Sequence, residues 1–229
     1  MNQARVLRIW LIGAAGLAVR TTVAQPPAGD PFANMQEISS ALGVSCNYCH
    51  TAERGSGAPE LKKEIARTMI AMTRDLNAKI AASVGEPAGS LTRVQCITCH
   101  RGVAIPRQLG DILSQTLHEQ GTAATIAQYR DLRQRYFGRQ AYDFGEDTLL
   151  NLAQRIVENK PDDALALIQL NLEFNPRSAR SYFALAHAYT RKIDDASAIA
   201  SLEKALEIDP DDNVARGQLE QLKSYRRRK

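Results

Sequence analysis

The sequence predicts an all-α chain in two parts: a small helical region built around two Cys-x-x-Cys-His frames, then an array of paired helices. Three observations carry this reading. Apolar residues recur at helical spacing ahead of each frame, as in Phe32, Met35, Ile38 and Leu42 before the first. The second half repeats itself, with Asn175-Pro176 and Asp209-Pro210 standing 34 residues apart. Aromatic residues make up only 6% of the chain, which suits helices built on Ala, Leu and Ile better than a sheet.

Residues 1–24 are expected to be an export signal. Arg5 and Arg8 form a basic start, Ile9 to Val19 an apolar run, and Thr22-Val23-Ala24 a short-side-chain stretch before a cut ahead of Gln25. The run is short for a bilayer-spanning helix. With cleavage the protein is periplasmic. The alternative is an uncleaved anchor, since Arg20 follows the apolar run directly, and only then is membrane association expected. Gln25 to Pro31 reads as a lead-in. The whole chain has 29 basic and 25 acidic residues; removing Arg5, Arg8 and Arg20 leaves 26 basic ones, close to neutrality. That balance gives nucleic acid binding no support.

The expected elements then follow in order. A helix over Phe32 to Leu42 stops at Gly43. Cys46-Asn47-Tyr48-Cys49-His50 is the first frame. A stripe of Leu61, Ile65, Met69, Met72, Leu76 and Ile80 predicts a helix of about five turns. Cys96-Ile97-Thr98-Cys99-His100 is the second frame. His118 falls in a surface-helix pattern, and a helix near Ala123 to Phe137 is expected to link the two parts. From Pro161 onward Tyr182, Leu185, Ala186, Tyr189, Ala198, Leu202, Ala205 and Pro210 fit the tetratricopeptide spacing. Leu149 to Pro176 reads as a shorter upstream copy, and residues 212–225 as a closing helix. Two repeats bury little core, so the array is expected to pack on its neighbours. The division expected is 1–24 signal, 25–110 frame-bearing region, and 111–229 linker helices and repeats.

All four cysteines lie in the two frames. Cys-x-x-Cys-His is the attachment signature of c-type haem. Its two thiols reach the two vinyl groups of one porphyrin, and the next histidine lies under the iron. Disulfides, redox dithiols and a zinc site are the competing readings, and none explains a histidine directly after both second cysteines. Two covalent haems c are therefore expected, anchored at Cys46 and Cys49 with His50, and at Cys96 and Cys99 with His100. An electron-transfer haem takes a second axial ligand, often methionine. Past the signal the methionines are Met35, Met69 and Met72. Met35 suits the first haem by its distance to Cys46, and either Met69 or Met72 suits the second. Arg101 is a candidate to neutralise a haem propionate. His118 and His187 read as surface or packing residues.

These residues also carry a resemblance. Met35 to Ile38, Leu42 to Cys46, Ala66 to Thr73 and Cys96 to Gly102 resemble the cytochrome c subunit of photosynthetic reaction centres over residues 32–106. The resemblance implies a helix, a turn and a frame at each haem, with Met35 ligating the first iron and Met69 the second. The reaction-centre subunit carries four haems, whereas this chain has frames for two. Ala81, Ala82 and Ser83 stand where a histidine for a further haem would follow Met69.

The function expected is electron transfer between redox protein partners, not catalysis; the repeats read equally as a protein-docking surface or as a plain stack of helical hairpins with no partner. The rivals are a two-haem enzyme such as a peroxidase, which needs an open iron position and acid-base groups, and a repeat-based adaptor with structural haems.

Overall fold

The computed structural model describes residues 31–50, 57–84 and 93–228, with side chains described from Met35 in the first stretch and Glu60 in the second. The expected export signal and the lead-in up to residue 30 lie outside the described residues. Among those described, the chain forms ten α-helices and one 3-10 turn. No helix among them is long and apolar enough to cross a membrane.

Helix α1 covers Pro31–Leu42. It ends as its sequence predicts: Gly43 takes φ +64°, the Gly43 N–H donates to Ser40 O at 3.2 Å, and the Val44 N–H donates to Ser39 O at 3.1 Å. This pair of bonds satisfies carbonyls that the helix end would leave free. Gly43 has a second reason to be glycine. A Cβ there would lie 2.1 Å from the carbonyl oxygen of Gly102. The turn after α1 thus crosses the turn after the second frame in close contact, and the Gly102 N–H donates to Ala41 O at 2.8 Å.

Helix α2 runs Gly57–Val84. Its 28 residues make nearly eight turns, about 42 Å, longer than the five turns read from the apolar stripe. The extra length is residues 57–60 and 81–84, which lie beyond the stripe of large apolar side chains. Helix α3, Cys96–His100, is the second frame itself.

Seven helices follow: α4 (Leu109–Gln120), α5 (Thr122–Tyr136), α6 (Glu146–Ile156), α7 (Pro161–Phe174), α8 (Ala179–Arg191), α9 (Asp195–Ile208) and α10 (Asn213–Arg228). Pro161 and Asp195 open α7 and α9 34 positions apart, and Ala179 and Asn213 open α8 and α10 at the same interval. Each start has a local cause. Pro161 stands at the first turn of α7. Ser178 accepts from the Ser181 N–H at 3.0 Å, Asp194 from Ser197 at 3.1 Å, and Asp212 from Ala215 at 3.0 Å.

One apolar cluster joins α4 to α8 through Leu109, Leu113, Tyr129, Leu132, Leu149, Leu152, Leu167, Leu170 and Leu185. Each such leucine contributes roughly 1.5–3 kcal/mol on burial. The Tyr129 ring lies 5.7 Å from Phe144 and 5.8 Å from Phe174, and burial raises its hydroxyl above the usual tyrosine range. Arg133 covers this group, with its guanidinium 3.9 Å from the Phe137 ring and 4.3 Å from Phe174. The linker helices α4 and α5 are thus part of the repeat core. A second cluster of Ala186, Leu202 and Ala215 closes α8, α9 and α10 together.

Candidate haem sites

In the first frame Cys46–Tyr48 form a 3-10 turn, and the His50 N–H donates to Cys46 O at 2.9 Å. Cys46 and His50 are exposed and Cys49 half-buried. In the second frame Cys96, Cys99 and His100 occupy positions i, i+3 and i+4 of α3, so both thiols and the imidazole share one helix face. None of the four cysteines is in a disulfide. Among the described residues no three Cys, His, Asp or Glu side chains are grouped as a metal ion would need.

The end of α3 sets the histidine. Arg101 at φ 51° and Gly102 at φ 86° turn the chain through left-handed backbone. That reversal brings the Val103 carbonyl back to within 3.0 Å of His100 Nδ1. A carbonyl oxygen only accepts, so Nδ1 carries the proton and Nε2 keeps its lone pair for a metal. Val103 is one of the few buried residues here, which holds this brace in place.

The methionines lie on exposed apolar faces. Leu61, Ile65, Met69, Met72 and Leu76 form a ridge along α2, each between 42% and 61% exposed. A row of large apolar side chains facing away from the protein's own core matches the flat apolar face of a porphyrin. The residues present therefore fit haem c: two thiol pairs, a histidine with a free Nε2, and thioethers on the neighbouring helix. Met35 is 51% exposed on α1. That helix packs against α3. Burial raises the Cys96 thiol, and the Glu37 carboxylate on α1 raises it further.

Sequence reading missed two residues that tie α2 to the frames. Lys62 Nζ sits 3.7 Å from the centre of the Tyr48 ring, inside the first frame. Asn77 bonds the backbone of Val94, two residues ahead of the second. The signal for Asn77 was an asparagine inside a long helix, where its amide competes with the backbone and needs a reason to stay. Arg101 is exposed and borders two clefts of about 670 and 480 Å³; Arg135 and Arg139 at the end of α5 share the second. His118 is exposed on α4, and His187 on α8 lies 3.5 Å from Glu158. Neither belongs to a frame.

Comparison with known proteins bears on the same residues. The family described as photosynthetic reaction centre cytochrome C subunit matches residues 46–150, and the tetratricopeptide repeat matches 179–212. The chain is 38% identical to cytochrome c-554 of Chloroflexus aurantiacus over 28% of its own length and 15% of that protein. It is 32% identical to the photosynthetic reaction center cytochrome c subunit of Thermochromatium tepidum, covering 46% of this chain and 28% of the other. With the subunit of Rubrivivax gelatinosus the identity is 36%, over 28% and 16%. The chain thus spans less than a third of the length of each of these relatives. The matched range begins at Cys46, so Met35 lies ahead of it, and it runs on through α4 and α5 into α6. Over residues 46–150 the chain is thus similar to the photosynthetic reaction-centre cytochrome c subunit family, and over 179–212 to the tetratricopeptide repeat.

Proposed function

We propose that this protein is an exported, periplasmic c-type cytochrome with two haems that carries electrons between redox protein partners, and that it divides near residue 110 into a haem region and a repeat module. The observation that carries the reading is the second frame, with its two thiols and one imidazole on a single helix face and Nε2 left free by the bond to Val103. Haem c, when bound, supplies a one-electron couple.

The chain's own residues do the rest. Cys46, Cys49, Cys96 and Cys99 anchor the rings, and His50 and His100 stand on the proximal sides. Met35 and Met69 complete the coordination. Thioethers carried on helices tied to the frames keep ligands in place in both oxidation states and shut out peroxide, which favours electron transfer over peroxidase chemistry. Met69 is the better candidate than Met72 because the family pattern uses the first methionine of the pair. The reversed assignment would leave the function intact. Tetratricopeptide helices suit protein docking, and α6, α8 and the start of α10 line a concave groove for it.

The test is a carbon monoxide titration of reduced wild type beside Met35→Ala, Met69→Ala and Met72→Ala. Wild type should bind little. Met35→Ala should open the haem at Cys46, and Met69→Ala the one at Cys96. Met72→Ala should open neither. Ready binding by wild type would reject the closed carrier and favour an enzyme.

A further inference from the structure

The side-chain amide of Asn77 treats Val94 as one β-strand treats another. Asn77 Oδ1 accepts from the Val94 N–H at 2.8 Å, and Asn77 Nδ2 donates to the Val94 carbonyl at 2.9 Å. The same Nδ2 donates to Thr73 O at 3.0 Å, one turn back along α2. Thr73 in turn donates from its hydroxyl to Met69 O at 2.8 Å. Met69, Thr73 and Asn77 are successive i, i+4 positions, so they share one face of the helix. Val94 stands directly before Gln95, whose N–H is bonded by Thr98 Oγ1 at 3.0 Å inside the second frame. A row of hydrogen bonds thus leads from the Met69 backbone to Val94, which the peptide chain joins to Gln95 at the start of the second frame.

We propose that Asn77 is a positioning residue that sets α2, and with it the Met69 thioether, in register with the second Cys-x-x-Cys-His frame. This rests on the reading of Met69 as the second haem's sixth ligand. The amide is required because Val94 offers both a donor and an acceptor. A carboxylate could take the N–H but would face two carbonyl oxygens, Val94 and Thr73, with no proton to give. An aliphatic side chain would leave both Val94 groups without their partner. The effect belongs to the second haem alone, since the tie to the first frame is made elsewhere on α2, by Lys62 against Tyr48.

The experiment compares the intact two-haem protein with Asn77→Asp and Asn77→Ala by proton NMR of the iron-bound methionine methyl groups, by the potential of each haem, and by carbon monoxide binding. Met35→Leu and Met69→Leu assign the two methyl signals. In Asn77→Asp the Met69 signal should broaden or vanish and the second haem's potential should fall. Carbon monoxide binding there should rise by about tenfold or more, in the range by which outer-shell partners act on metal sites. The Met35 signal and the first haem's potential should stay as in wild type. Unchanged Met69 signal, potential and binding in a two-haem Asn77→Asp protein overturns the proposal. If Asn77→Asp fails to mature, Asn77→Ala decides by the same criteria, because it removes the bonds without placing an anion against the carbonyls. If wild type shows no signal that Met69→Leu removes, the ligand reading itself fails, which is a different result from an insensitive Asn77.

Discussion

From Leu109 to Ala215 the helices bury leucines, alanines and Tyr129 against one another, whereas ahead of Leu109 the buried apolar residues among those described are Ala41 and Val103. Yet α2 carries a regular apolar stripe of its own. The spacing of Leu61, Ile65, Met69, Met72 and Leu76 is that of a core-facing helix, and their exposure is that of a surface. The repeat half uses its own side chains as its core. The frame-bearing half presents its apolar side chains outward, on the face where the proposed haems would lie. Helical periodicity reports that a face is apolar; it does not report what covers it.

The largest test of this contrast removes one attachment site. Cys96→Ala with Cys99→Ala should leave one haem by intact mass and by haem staining of a denaturing gel. Amide hydrogen exchange should then speed up in α2 and α3 while α6 to α9 keep their protection. Equal loosening of both halves would break the comparison, since the repeat half would then depend on haem for its stability as well.

A paired substitution sharpens it. Leu202 is fully buried in α9, and Leu202→Ala should cost about 2–5 kcal/mol in denaturant unfolding without altering either haem spectrum. Met69→Leu, at a position 43% exposed, should do the reverse, changing the second haem's spectrum and carbon monoxide binding with little effect on unfolding of the repeats. Spectral change in Leu202→Ala would show that the halves are coupled.

Next in size is the α1–α3 crossing. Gly43→Ala meets the Gly102 carbonyl at 2.1 Å and also strains a backbone at φ +64°. Gly102→Ala meets nothing within 4 Å and bears only the strain of φ +86°. The second should cost about 1–2 kcal/mol, and the first clearly more, read as earlier thermal loss of the haem-region signal. Equal effects would mean that the close approach carries no weight.

The smallest effect is a pH dependence confined to the repeats. Hydrogen bonds from Ser197, through its side chain and its backbone N–H, hold the Asp194 carboxyl below its usual range. A carboxylate lowered on folding adds stability above its unfolded pKa and loses it as pH falls through the folded value. Repeat stability should therefore decline with acid below about pH 4, and Asp194→Asn should flatten that part of the profile. An unchanged slope in Asp194→Asn would remove this cap from the account.

Much of the fold was legible because its signals are local. Gly43 ends α1, Pro161 opens α7, and the interval between Asn175-Pro176 and Asp209-Pro210 recurs in the helix starts. The frames were legible as a pattern because Cys-x-x-Cys-His is a fixed set of residue types at fixed spacing, whatever surrounds it. Asn77 and Lys62 were not, since each acts on a residue distant in sequence: Asn77 on Val94, Lys62 on Tyr48. A single asparagine or lysine on a helix has many uses, and only the partner tells which one applies. The need for glycine at both Gly43 and Gly102 was likewise half visible. A helix stop was readable from Gly43 alone, but not the chain crossing that leaves no room for a Cβ.

The sequence by itself determined the helices, the 34-residue period and the two Cys-x-x-Cys-His frames, because each depends on short-range geometry or on residue types at fixed spacing. The tertiary structure decided which apolar faces close on protein and which stay open, how α1 meets α3, and how α2 is tied to both frames. Those outcomes follow from packing between segments far apart in the chain, where a contact depends on two surfaces at once and neither surface specifies the other.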